Sequence, residues 1–236
     1  MKTIIKSLHD YLSDFDFTEL IFPSLCIGCS NVLHKHEELI CFPCKHQLPL
    51  THDWLPETLG YTPFKGRVEI VNTISYLHFS KGDILQRMMH ELKYNGRKDV
   101  GIGLGSLLGQ KLVQHDIFNH IDGLVAVPLH PAKILRRGFN QSAVIVKGMI
   151  EHLDKPDLSR AIERTEFTPS QTSMSRFHRF RNMDRVFNCA RPSLIRGKRL
   201  LLVDDVITTG STLQACAKLL LDAGAEGVSV TTIARA

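Results

Sequence analysis

The order of apolar and polar positions divides the chain into a short leading segment and a longer alternating one. Ile4, Ile5, Leu8, Tyr11, Leu12 and Phe15 recur at helical spacing, which predicts an amphipathic helix over residues 4–15. Residues 46–68 carry Pro49, Pro56, Pro63, Gly60 and Gly66 and read as an irregular linker. Residues 71–79 are rich in β-branched and aromatic side chains and predict a strand. Ser80 then opens a helix, with Asp83 three residues on as a short-armed capping box. Its apolar stripe is Ile84, Leu85, Met88, Met89 and Leu92, and Asn95-Gly96 ends it. A second helix from near Asp99 carries Leu104, Leu107, Leu108 and Leu112.

Beyond residue 120 the pattern changes to short, unbroken apolar runs between helical stretches. Residues 123–127 and 199–203 suit strands buried on both faces. Residues 140–153 and 211–223 predict helices, the first with Asn140 as a cap, and residues 227–233 a last strand. Alternation of this kind predicts an α/β fold, a parallel sheet flanked by helices. The expected division is an N-terminal segment over residues 1–62 and a main domain over 63–236.

Composition adds two constraints. No run approaches the roughly 20 apolar residues needed to span a bilayer. Asp10, Asp14, Asp16 and Glu19 interrupt any signal-peptide core, so a cytoplasmic protein is expected. The net charge of +5 is uneven. Residues 128–199 hold 15 Lys/Arg against 6 Asp/Glu, and the remainder 14 against 18. Positive charge gathered in one segment suits a protein that handles phosphates or nucleic acid, although a solvated basic face has the same composition.

The strongest chemical signal follows the strand at 199–203: Asp204, Asp205, Val206, Ile207, Thr208, Thr209, Gly210, Ser211 and Thr212. Ligands of parallel α/β sheets bind beyond the carboxyl ends of the strands. A helix start there presents backbone N–H groups and a favourable dipole to an anion. Gly210 allows close approach, and the hydroxyls of Thr208, Thr209, Ser211 and Thr212 add donors. Two adjacent carboxylates cannot serve the same phosphate. They suit ribose hydroxyls, or a divalent ion held mostly through water. The Gly-Lys-Ser/Thr element of a P-loop is missing. The stretch closely resembles the ribose-5-phosphate motif of type I phosphoribosyltransferases. That resemblance implies that Asp204 and Asp205 hold ribose and that residues 208–212 hold the 5′-phosphate. Purine-type members usually carry an Asp where this chain has Thr208, which argues against a purine acceptor.

Cys26, Cys29, Cys41 and Cys44 form two C-x2-C pairs separated by 11 residues. Four thiolates so spaced suit a tetrahedral structural Zn²⁺, with room between the pairs for a small hairpin. His34, His36 and His46 lie close enough in sequence to replace a cysteine. A closed four-thiolate site leaves no open position, so the zinc is assigned to folding.

Leu129, His130, Lys133, Arg136, Arg137, Gly138, Asn140 and Gln141 follow the strand end at Pro128. Placed beside the phosphate loop, they would supply cations and amides to a pyrophosphate. Arg164, Thr168, Gln171, Arg176, Arg179, Arg181, Asn182 and Arg185 form a further polar block, suited to closing over a ligand, to contacting nucleic acid or simply to solvent. Together, the cysteine knuckle, V-P-L-H-P-x-K…R-R-G-F-N-Q, T-x-x-Q…R-x-x-R-x-x-N and L-L-V-D-D-V-x-T-T-G-S-T resemble the ComF family, over roughly residues 22–236. The resemblance implies a type I phosphoribosyltransferase fold and a link to uptake of transforming DNA. Two functions follow from it. One is Mg²⁺-dependent phosphoribosyl transfer from phosphoribosyl pyrophosphate. The other is non-catalytic binding of a nucleotide or single-stranded DNA beside a DNA-import ATPase.

Overall fold

A computed structural model describes residues 23–53, 64, 66–115, 118–165 and 186–236. The helix expected over 4–15, the boundary expected at 62/63 and the polar block from Thr168 to Arg185 lie outside these residues. The chain separates into two compact units, Met1–Gln47 and Leu48–Ala236.

The first unit is organised by its cysteines. An antiparallel bridge between Leu25 and Val32 closes a turn around Cys26 and Cys29, so the small hairpin encloses the first pair rather than separating the two. Cys41 and Cys44 lie at the start of a five-residue helix, α1 (Phe42–His46), where Pro43 fits because the first-turn N–H groups have no helical partner.

The second unit is built on a four-stranded parallel sheet in the order β1 (Thr73–His78), β6 (Gly227–Arg235), β5 (Arg199–Ile207), β2 (Gly123–Ala126). The longer helices flanking these strands are α2 (Ile84–Tyr94), α3 (Lys98–Val113), α5 (Gln141–Leu153) and α6 (Ser211–Asp222). Val125, Leu200, Leu202, Val228 and Val230 share one core cluster with Leu213, Cys216, Ala217 and Leu220 of α6. The intervening Leu124, Leu201 and Val203 are equally buried, so the central strands are covered on both faces. This explains why they read as unbroken apolar runs.

Three local details differ from the sequence pattern. Asp83, not Ser80, caps α2: one carboxylate oxygen accepts from Gln86 N and the other from Ser80 N. The stretch expected to be an irregular linker begins as an edge cover. Pro49 and Thr51 hydrogen-bond to His78 and Tyr76 along the open side of β1. Asp53, almost fully buried, accepts from Ser75 N and pairs with Arg235 at 2.6 Å. The third difference is the length of β5, which continues four residues past Val203 to Ile207.

Helices α3 and α5 meet backbone to backbone. A Cβ on Gly105 would stand 2.1 Å from Ile145 O, and one on Gly148 would stand 2.0 Å from Ile102 O. Only glycine permits this approach. It sets the position of α5, whose first turn carries part of the site.

Candidate phosphoribosyl site

The carboxyl ends of β2 and β5 lie side by side, with Ala126 opposite Val203. Because β5 runs on to Ile207, Asp204 and Asp205 lie in the strand itself, and the loop proper shrinks to Thr208, Thr209 and Gly210. Ile207 points into the core and Val206 is half-buried, so Ile207 can offer a ligand only its backbone. Thr208 and Thr209 are exposed. The Thr209 and Ser211 hydroxyls are 3.0 Å apart, and α6 begins at Ser211. Thr212 lies in its first turn, half-buried. Gly210 has φ of +72°, a left-handed backbone that favours glycine, and a Cβ there would meet the Phe64 ring at 2.9 Å.

A polar chain ties the basic segment to the acidic pair. Asn140 Nδ2 donates to Val127 O at 2.9 Å, while its Oδ1 accepts from Ser142 N at 3.1 Å. The Ser142 hydroxyl then donates to Asp204 Oδ1 at 2.8 Å. Asp205 Oδ2 pairs with Lys93 Nζ, also at 2.8 Å. Burial and the neighbouring Asp205 push the Asp204 carboxyl up to about 7, against Ser142, the Asp205 N–H and Lys93, which favour its charged form.

The segment after β2 forms an exposed helix, α4 (Pro131–Arg137), with no buried residue. Half-buried Leu129 leads into it. His130 caps it, its Nδ1 accepting from Ala132 N. Gly138 ends it at φ of +82°. Burial and the charges of Arg164, Arg137 and Arg136 lower the pKa of Lys133, so four cations share one neighbourhood. Three buried donors at this rim have no hydrogen-bond partner among the described residues: Arg137 Nε, Arg164 Nε and Gln141 Nε2, the last on a residue only 3% exposed. Unpaired buried donors are uncommon, and three beside clustered cations are what an anion would satisfy.

A phosphoribosyl transferase domain model matches residues 135–236, which include α5, both acidic residues and the loop. DNA utilization protein YhgH of Escherichia coli strain K12 is 32% identical over 216 residues, covering 89% of this chain and 90% of that protein. Competence protein F of Haemophilus influenzae is 36% identical over 116 residues, 49% of this chain and 51% of the relative. Competence protein ComFC of Streptococcus pneumoniae is 27% identical over 162 residues, 66% of each. The chain belongs to the ComF family. Its fold is that of a type I phosphoribosyltransferase, with a four-cysteine cluster near the N-terminus.

In this ComF-family protein the structure gathers Asp204, Asp205 and the loop with Asn140, and it adds two residues that sequence reasoning missed. Lys93 reads as an ordinary last-turn cation complementing a helix dipole. Ser142 reads as first-turn filler behind the Asn140 cap. Only the tertiary contacts give either a role.

The four cysteine sulfurs lie within 4.8 Å of one another in the other unit. Cys29 and Cys41 Sγ are 3.7 Å apart. Around a tetrahedral ion with bonds of about 2.3 Å, sulfurs stand about 3.8 Å apart. Burial raises the Cys26 thiol, but N–H donors from Cys41, Cys29 and Gly28 outweigh it and bring the pKa to about 6. The donor set therefore fits Zn²⁺, and none of His34, His36 and His46 belongs to it. No helix among the described residues is long and apolar enough to cross a membrane.

Proposed function

We propose that this protein binds phosphoribosyl pyrophosphate at the ends of β2 and β5. Asp204 and Asp205 orient the ribose hydroxyls. Thr208, Thr209, Gly210, Ser211 and Thr212 receive the 5′-phosphate at the start of α6. The diphosphate faces Lys133, Arg136, Arg137 and Gln141, with Arg164 beside them. The observation that carries this reading is the set of three unpartnered donors at a rim of clustered cations. A bound Mg²⁺ would neutralise the diphosphate, with Asp204 and Asp205 holding it through water. Zn²⁺ on Cys26, Cys29, Cys41 and Cys44 is structural.

The names of the relatives, DNA utilization protein and competence protein, link the binding site to the use or uptake of DNA. Transfer of the phosphoribosyl group to an acceptor fits the same site but needs a proton acceptor that no residue has been given. Binding is therefore the primary activity. Calorimetry with phosphoribosyl pyrophosphate and Mg²⁺ tests it: saturable binding is expected for the wild type and loss in Asp204→Ala/Asp205→Ala. A wild type that takes up no heat refutes it.

A second reading, single-stranded DNA on the same rim, is supported by α4. That helix has no fully buried residue, leaves Leu135 89% exposed and places Arg137 over the Tyr94 ring at 5.7 Å. Cations beside an aromatic ring suit stacked bases and phosphates. Affinity for an oligonucleotide should fall steeply with salt, and a flat response argues against it.

A further inference from the structure

We propose that a second cavity, at the amino-terminal end of the sheet, binds a small organic cation with an apolar body, such as an alkyl- or arylamine. The cavity measures about 470 Å³, within the roughly 300–1,000 Å³ of small-molecule sites. It lies between Phe64, residues 68–71, the end of α6 and the first residue of β6. The acidic pair sits at the other end of β5, and Phe64, whose ring packs on Gly210, stands between the cavity and the loop.

The walls define the body of the ligand. Phe64, Val68, Ile70, Val71 and Leu221 line the cavity, and Val71 is 65% exposed at its edge. Phe64 cannot relax into the space. It is 1% exposed, and its ring lies against Gly210, where even a Cβ would come within 2.9 Å. The floor at Gly227 is similarly close, since a Cβ there would stand 3.3 Å from Val71.

The charge of the ligand follows from three observations. Among the described residues, the charged ones lining the cavity are Glu69 and Glu226. Glu226 accepts from two guanidinium nitrogens of Arg199 through the same oxygen, Oε1. Glu69 is exposed and makes no ion pair among the described residues. In addition, Leu221 lies in the last turn of the 12-residue helix α6, whose carbonyl end carries partial negative charge. An anion would meet two carboxylates and a helix C-terminus, whereas an ammonium group would meet favourable partners at each. An apolar body then fills the pocket behind it.

The test uses the full-length protein with 2-phenylethylamine as the probe and 3-phenylpropionate as its anionic counterpart. Binding is read by amide shifts in two-dimensional NMR. Saturable shifts with the amine, centred on Val71, Leu221 and Gly227, are expected. Glu69→Gln should weaken the amine about fivefold, the effect of losing one exposed ion pair. Val71→Trp should abolish binding by filling the mouth, and its exposed position lets the variant fold. Absence of saturable shifts, equal binding of the carboxylate, or an amine affinity unchanged in Val71→Trp overturns the proposal. None of these outcomes depends on phosphoribosyl pyrophosphate, so the two sites stand or fall independently.

Discussion

Asp204→Asn is expected to make the protein more stable while weakening the proposed binding of phosphoribosyl pyrophosphate. The side chain lies beside Asp205 in a protein-dense setting, and its pKa rises from 3.8 to about 7. The folded state therefore holds a proton that the unfolded chain releases, and stability falls as pH rises through this window. Between these two values the shift amounts to about 4 kcal/mol in full. Part of the side chain reaches water, and screening reduces the realisable gain to about 1–2 kcal/mol. Asparagine keeps an Oδ1 that accepts from the Ser142 hydroxyl, so the contact at 2.8 Å survives while the charge disappears. Chemical denaturation at several pH values measures the effect. Below pH 3.8 the variant and the wild type should be equally stable, since the carboxyl is then protonated in both states. The difference should grow through the window and level off above about 7. A variant that is less stable than the wild type above that pH, or a gain independent of pH, would show that the buried charge is not the cause. Calorimetry on the same variant should show lost affinity for phosphoribosyl pyrophosphate. A buried carboxylate kept at a cost in stability is what a trade between function and stability would produce.

Three other perturbations test the framework around the site. Gly105→Ala should cost about 1–3 kcal/mol in denaturant unfolding, because its methyl group would stand 2.1 Å from Ile145 O and force α3 from α5. Asp53→Ala should cost on the order of 3 kcal/mol, since it removes the ion pair to the partly buried Arg235 and the acceptor of the Ser75 N–H. An effect within experimental error would show that the edge cover contributes little. For the cysteine cluster, elemental analysis should find one zinc per chain, and Cys26→Ser should lose it along with protection of residues 26–44 from proteolysis. Protein that contains no zinc and resists protease would remove the metal from the account.

The relation between sequence and site depends on how local each cause is. The strand-to-helix loop was legible because its elements are contiguous: a buried strand, two carboxylates, hydroxyls, a glycine and a helix start follow one another in fourteen residues. The parallel sheet was legible for the same reason, since burial on both faces leaves unbroken apolar runs. The end of β5 was not. Asp204 and Asp205 look like the end of a strand by hydropathy, yet register with β6 continues through Asp204↔Thr232 to Ile207↔Arg235. The ladder to an adjacent strand, absent from any local pattern, outweighs the polarity of two residues. Lys93 and Ser142 were hidden by distance, 112 and 62 residues from their partners. What places Ser142 is the glycine contact between α3 and α5, and what places Lys93 is the end of α2. Both are packing consequences of elements whose existence was readable and whose mutual position was not. The same holds for Arg164, which reads as one cation in a polar block. It joins the cationic rim only because the short antiparallel pair β3 (Ile162–Arg164) and β4 (Phe187–Cys189) brings Arg164 over the Phe187 ring and near Lys133. Charge in the sequence therefore located the rim to within a segment, while the fold selected which of its cations face one another.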